Sequence, residues 1–257
     1  MTTTSESNPG VMPTTAEDVP GGAKTLTSKV VGAAAGMVQD LTPVKQFQEH
    51  VCTWAIFSHD MSRKIETHHH VARLNEDFCQ CAVYDSDESN ARLIGVEYVI
   101  SEKLFESLPD EEKQLWHSHF YEIKEGLWFN PGVPELVQQQ ELKSLAKTYG
   151  KFWCTWQFDR GDRLPLGPPA LMMSPQQVEP GRIPDEMVKT RDAKYDISTS
   201  NRAVKRETSI EGPASFHPLS DRWMTTGKGW AVDLKEVPIA LGGSTPLATL
   251  DAAQPHP

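Results

Sequence analysis

No stretch of this chain is apolar for the roughly 20 residues needed to cross a bilayer; the longest apolar or small run is Val30 to Val38. The first residues also lack the basic segment of a secretion signal. Neither a transmembrane segment nor export is therefore expected, and the chain reads as cytoplasmic. Positive charge is scarce too, with 25 Lys and Arg against 35 Asp and Glu, a formal net charge of −10 and no Lys/Arg block. Such a surface repels a phosphate backbone, so nucleic acid is not an expected partner. Only four cysteines occur, Cys52, Cys79, Cys81 and Cys154. In a long chain without a signal peptide they read as reduced thiols. Cys79 and Cys81 are spaced C-x-C, not the C-x-x-C that favours zinc, and packing is their expected role.

What is present suits a folded core. Charged residues make up 23% and hydrophobic residues 38% of 257, an ordinary globular balance in a chain long enough for one main domain. Residues 1–23 are Thr-, Ser-, Pro- and Gly-rich with almost no large apolar side chain, and a disordered tail is expected there. Leu26, Val30, Met37 and Leu41 recur at helical spacing before Pro43. That modest amphipathic helix is expected to dock on its own domain, with a lipid surface as the alternative. Strands are predicted over 50–59, 79–84, 93–100 and 152–158 from their β-branched and aromatic residues. Helices are predicted over about 101–116 and 134–148, the second ending at a Gly150 cap. The Pro-rich segment 164–173 is expected to wrap the core as a loop, and 184–206 to form one or two charged helices. The fold class that follows is α+β, a mixed or antiparallel sheet with flanking helices. A main domain over 24–206 would carry an irregular Pro/Gly-rich C-terminal extension over 207–257, anchored at Trp223 and Trp230.

Five of the nine histidines fall in two groups, His68-His69-His70 and His117-Ser-His119. On an extended segment the rings of His117 and His119 would point the same way, and Glu122 follows three residues later. Two imidazoles and one carboxylate are the donor set of non-heme iron and some zinc sites. The alternative is that both histidines cap the preceding helix. Glu97 interrupts an apolar strand on the face of Leu93, Gly95 and Val99, so it is either exposed or buried and paired. Asp60 is a weaker candidate of the same kind. For His68 to His70 the alternatives are a solvated loop or at least one ring facing the site.

The strings Ser58-His-Asp-Met61, Glu66-Thr-His-His69, Ala91-Arg-Leu-Ile-Gly-Val-Glu-Tyr98, Trp116-His-Ser-His119, Thr148-Tyr-Gly-Lys151 and Leu164-Pro-Leu-Gly167 are required by no generic strand or helix. Over about 43–173 they resemble the oil-body-associated protein family of plant seeds, which also has fungal and bacterial members. The atypical ends suggest a fungal or bacterial-type member. The resemblance implies a pattern that includes His68, His69, Glu97, His117, His119, Tyr121 and Glu122, with His70 outside it. It also implies a lipid-droplet surface as a partner. Together the readings predict a metal-dependent enzyme for a small, fairly apolar substrate. His117, His119, Glu122 and Glu97 would hold a divalent ion (Fe, Zn or Mn), and His68, His69 and Tyr121 would serve catalysis. The alternatives are a non-catalytic oil-body protein and a cofactor-free acid/base isomerase or cyclase.

Overall fold

Side chains alternating in character along a chain must face opposite sides of an extended backbone, and between residues 49 and 173 that alternation builds a barrel. The computed structural model describes residues 12–212 and 217–238. In chain order its elements are α1 (Leu26–Val38), α2 (Thr42–Lys45), β1 (Glu49–Phe57), β2 (Asp60–Asn75), β3 (Phe78–Tyr84), β4 (Leu93–Ser101), α3 (Glu102–Glu106), α4 (Asp110–Lys113), β5 (His117–Ser118), α5 (Phe120–Lys124), α6 (Glu135–Leu145), β6 (Thr148–Cys154), β7 (Ala170–Met173), α7 (Asp185–Tyr195), α8 (Thr199–Glu207) and α9 (Trp223–Thr226). The sheet runs β4-β3-β2-β1-β7-β6 and closes because β6 also pairs with β4, antiparallel throughout. The two residues of β5 add to β6. The expected mixture of helix and sheet is present, in the more specific form of a closed six-stranded antiparallel barrel flanked by helices.

So narrow a barrel is filled by its own side chains. Val51, Ala55, Ile65, Val71, Cys81 and Phe152 belong to one buried cluster inside it. The opposite face of β1, Trp54 and Ile56, packs with Leu127 and Ile183. Gly95 is required where β4 crosses β6, since a Cβ there would meet the Trp153 carbonyl oxygen at 2.3 Å. All four cysteines are free and buried, and Cys79 and Cys81 share the inner face of β3.

Several elements differ from the sequence prediction. The stretch around His68 to His70, left open to a loop reading, lies inside the 16-residue strand β2, whose polar inward residues Thr67 and His69 mask the alternation. The Pro-rich segment does wrap, but Ala170–Met173 forms β7 between β1 and β6. Its prolines stop at Pro169, so the ladder donors are intact. The helix predicted over 101–116 is broken at Ser107 to Pro109 into α3 and α4. Helix α6 ends at Leu145, and Gly150 is a residue of β6 rather than a cap. Helix α1 has no buried residue, so the docking expected for it is not seen.

Of the segment expected to be disordered, residues 1–11 lie outside the described residues. Thr14 is held in place: its hydroxyl donates to the Asp162 carbonyl at 2.9 Å, and buried Arg92 donates to its hydroxyl and carbonyl oxygens at 2.9 and 2.6 Å. In the C-terminal extension Trp223 is buried, and the Trp230 amide donates to Ser58 Oγ at 2.9 Å. Residues 213–216 and 239–257 lie outside the described residues. Truncation of the chain to begin at residue 19 is expected to lower the melting temperature by several degrees, because two hydrogen bonds to a charged guanidinium are lost. An unchanged thermal transition would show that Thr14 contributes nothing.

Candidate functional site

Strand β4 alternates exposed Val96 and Tyr98 with buried Gly95, Glu97 and Val99, which turns the Glu97 carboxylate into the barrel. Its partner across β3 is Cys81, and across β6 it is Phe152. On β2 the pairing of His69 with Val51 puts His69 on the inner side. His117 enters from β5. His119 sits at the turn into α5 with helical backbone angles, φ −86° and ψ −4°. The two rings therefore converge through a strand-to-helix turn, not through the continuous extended segment expected.

Glu97, His69, His117, His119 and Glu122 are each no more than 5% exposed. His117 Nε2 is 3.0 Å and His119 Nε2 3.5 Å from Glu97 Oε1. His69 Nδ1 is 2.8 Å from Glu97 Oε2. Burial alone would raise the Glu97 pKa, but His69, with His117 and His119 beside it, outweighs burial and holds the group well below the carboxylate range. Glu122 Oε1 is 4.0 Å from His119 Nε2, and Thr53 Oγ1 donates to Glu122 Oε2. Burial pushes Glu122 up to about 8, against the Thr53 hydrogen bond. Two neighbouring carboxyls thus differ in charge near neutral pH, the pattern that separates acid from base roles. His69, Glu97, His117 and Glu122 border an internal cavity of about 10 Å³, room for about one water or ion.

Of the residues expected at the site, the structure brings together His69, Glu97, His117, His119 and Glu122. It does not bring His68 or Tyr121. His68 follows the strand alternation to the outer face, where Nε2 lies 3.2 Å from Glu66 Oε1 and Nδ1 3.0 Å from His50 Nε2. His70 shares that face and stacks on His50 with centroids 5.0 Å apart. Burial, with His68 and His70 nearby, holds His50 down at about 4. Tyr121 packs beside Trp54 and Leu127. Asp60 accepts from its neighbour Ser62. Sequence reasoning missed Thr53, Thr67 and Thr148, whose hydroxyls touch Glu122, His69 and His119, and it missed Gly150. A Cβ on Gly150 would lie 2.3 Å from Glu97 Oε1, 2.5 Å from His119 Nε2 and 2.6 Å from His117 Nε2. The only signal for Gly150 and Thr148 was their place in the string Thr148-Tyr-Gly-Lys151.

Residues 41–210 match a family model described as "Protein of unknown function (DUF1264)". The chain is 53% identical over 208 residues to "Oil body-associated protein 2B" of Zea mays, covering 80% of this chain and 83% of the maize protein. It is 55% identical over 207 residues to "Oil body-associated protein 2A" of Arabidopsis thaliana, covering 80% and 83%. The chain belongs to the oil body-associated protein family. A more distant family member, "Oil body-associated protein 1B" of Arabidopsis thaliana, is 41% identical over 212 residues, covering 82% of this chain and 86% of its own. These oil body-associated relatives are plant proteins, and the expected fungal or bacterial type finds no support in them. No solved structure matches the chain. The family region contains the whole His/Glu cluster, whereas α1 precedes it.

Proposed function

We propose that this chain is an oil-body protein that associates with the lipid surface through α1. The observation that carries the reading is the exposure of that helix. Leu26, Val30 and Met37, spaced by four and seven residues, share one face with Val31 and Val38 at its margin. All five are between 59% and 87% exposed. A monomeric globular surface rarely leaves so continuous an apolar stripe uncovered unless it has a partner. The names of the maize and Arabidopsis relatives support a lipid body as that partner. Among the described residues no helix is long and apolar enough to cross a membrane, so an interfacial helix suits the attachment. Catalysis on a small apolar molecule, the main expectation from the sequence, draws no support from those names.

Flotation of the full chain with phospholipid-coated triacylglycerol droplets tests the proposal. Burying an aliphatic side chain is worth about 1.5–3 kcal/mol. Joint replacement of Leu26, Val30 and Met37 by Glu is therefore expected to reduce the floating fraction by at least about tenfold. Equal flotation of the triple variant would place attachment elsewhere and overturn the reading of α1.

A further inference from the structure

The geometry points to a metal centre inside the barrel, in which Glu97 Oε1, His117 Nε2 and His119 Nε2 bind one first-row divalent transition-metal ion. This inference is independent of the lipid-surface reading. The donor atoms of these three buried residues lie within 4.8 Å of one another. The two separations from Glu97 Oε1, 3.0 and 3.5 Å, match the edges of a coordination polyhedron with bonds of 2.0–2.2 Å, roughly 2.8–3.6 Å.

Hydrogen bonds on the far side of each ring decide between a metal and a plain hydrogen-bond cluster. His117 Nδ1 is 3.2 Å from the Met172 carbonyl oxygen, which only accepts, so Nδ1 carries the hydrogen. His119 Nδ1 is 2.8 Å from Thr148 Oγ1. That hydroxyl donates its own hydrogen to the Leu145 carbonyl at 2.7 Å, so it accepts from Nδ1 here too. In both neutral imidazoles the inner Nε2 therefore presents a lone pair to a carboxylate oxygen that also has only lone pairs. A positive charge must lie between them. A single proton on His117 would satisfy only its own 3.0 Å contact and would leave the His119 Nε2 lone pair facing the same Glu97 oxygen at 3.5 Å. One divalent cation satisfies all three atoms.

The surroundings fit an ion as well. His69 differs from the other two histidines: the Thr67 hydroxyl behind it has only a long 3.4 Å contact with the Thr53 carbonyl and can donate instead to His69 Nε2 at 2.9 Å, so a neutral His69 can donate from Nδ1 to Glu97 Oε2. That contact orients the carboxylate with Oε1 toward the two histidines, the role usual for groups behind metal ligands. Gly150 leaves the convergence point clear, since any side chain would enter the space that the three donors enclose. Two imidazoles and a carboxylate, with open positions toward Glu122, suit iron, manganese, cobalt or zinc over calcium or magnesium. A second grouping, Cys52, Glu66 and His68, lies on the outer face of the sheet and serves as the internal comparison.

The experiment uses the full chain without a histidine tag. Elemental analysis is expected to find close to one first-row divalent ion per chain. After chelator treatment, added Co²⁺ should raise the melting temperature and produce visible absorption bands. Thr148→Val removes the acceptor behind His119 and keeps the side-chain shape, and it should weaken Co²⁺ binding by about 10–100-fold. Glu97→Gln should weaken it by more than that, and His68→Asn should leave it unchanged. Should Glu97→Gln fail to fold, the wild-type titration and Thr148→Val decide the matter. Absence of both a native ion and any Co²⁺ response would overturn the proposal. So would Co²⁺ binding undiminished in Thr148→Val, or binding lost in His68→Asn.

Discussion

Replacing Arg206 with methionine is expected to destabilise the protein by about 3–5 kcal/mol, since two carbonyls each lose a hydrogen bond to a charged donor, worth about 1.5–3 kcal/mol apiece, and half-buried Glu135 loses its partner. Arg206 on α8 is 1% exposed. Its guanidinium forms a fork with Glu135 at 2.5 and 2.9 Å, and its remaining arm donates to the carbonyls of Ile123 and Trp128 at 2.7 and 2.9 Å. Those carbonyls bracket the turn after α5, the helix that carries Glu122 and begins beside His119. One side chain thus ties α8 and α6 to the element that presents the site. For a domain of this size the loss corresponds to a fall of roughly 6–20 °C in melting temperature. Lys205→Met, one position away and exposed, should stay within about 0.5 kcal/mol of wild type. If the two variants melt alike, Arg206 is not the clamp described.

Gly150→Ala should have the largest effect on the interior cluster. The new methyl would lie 2.3 to 2.6 Å from Glu97 Oε1, His119 Nε2 and His117 Nε2, far inside van der Waals contact. None of the three can swing away freely, because His117 is tied to Met172, His119 to Thr148 and Glu97 to His69. Overpacking of this kind is expected to destabilise by about 1–3 kcal/mol and to lower Co²⁺ affinity by at least about 100-fold, the upper end of the range for loss of an outer partner. Gly36→Ala provides the control: a Cβ there meets nothing within 4 Å, and alanine favours the helix. Melting curves and Co²⁺ titrations of both variants check the expectation. A Gly150→Ala protein that binds Co²⁺ like wild type would show that the donors do not converge above this residue.

The cluster was legible in the sequence where a residue broke a local pattern. Glu97 stood out because a charge in an apolar strand must be paired or exposed, and the structure buries it against three histidines. His117, His119 and Glu122 stood out by spacing alone, although the turn at His119, not strand alternation, aims its ring. Among three consecutive histidines nothing local says which faces inward. That is set by the long-range pairing of His69 with Val51, so His68 was grouped with the wrong face. Thr148 and Thr67 look like any threonine until the imidazoles behind them are located. Gly150 read as a helix cap because it followed a helical stretch, yet its role is the close approach of three side chains. The barrel itself was hidden for similar reasons. Its closure depends on β2, where polar inward residues obscure the period, and on four residues after Pro169, where composition suggested only a loop. Helix α1 was read correctly as an element, but none of its residues is buried and the expected docking is absent, because its small residues suit close packing and solvent or lipid exposure equally well.

The most direct measurement of the central claim is a crystal structure of the tag-free chain with anomalous diffraction recorded above the absorption edge of the metal found by elemental analysis. One anomalous peak is expected over Gly150, at about 2.0–2.2 Å from Glu97 Oε1, His117 Nε2 and His119 Nε2, with His69 still hydrogen-bonded to Glu97 Oε2. No peak there, with the two histidines hydrogen-bonded directly to Glu97 in protein exposed to Co²⁺, would contradict the claim.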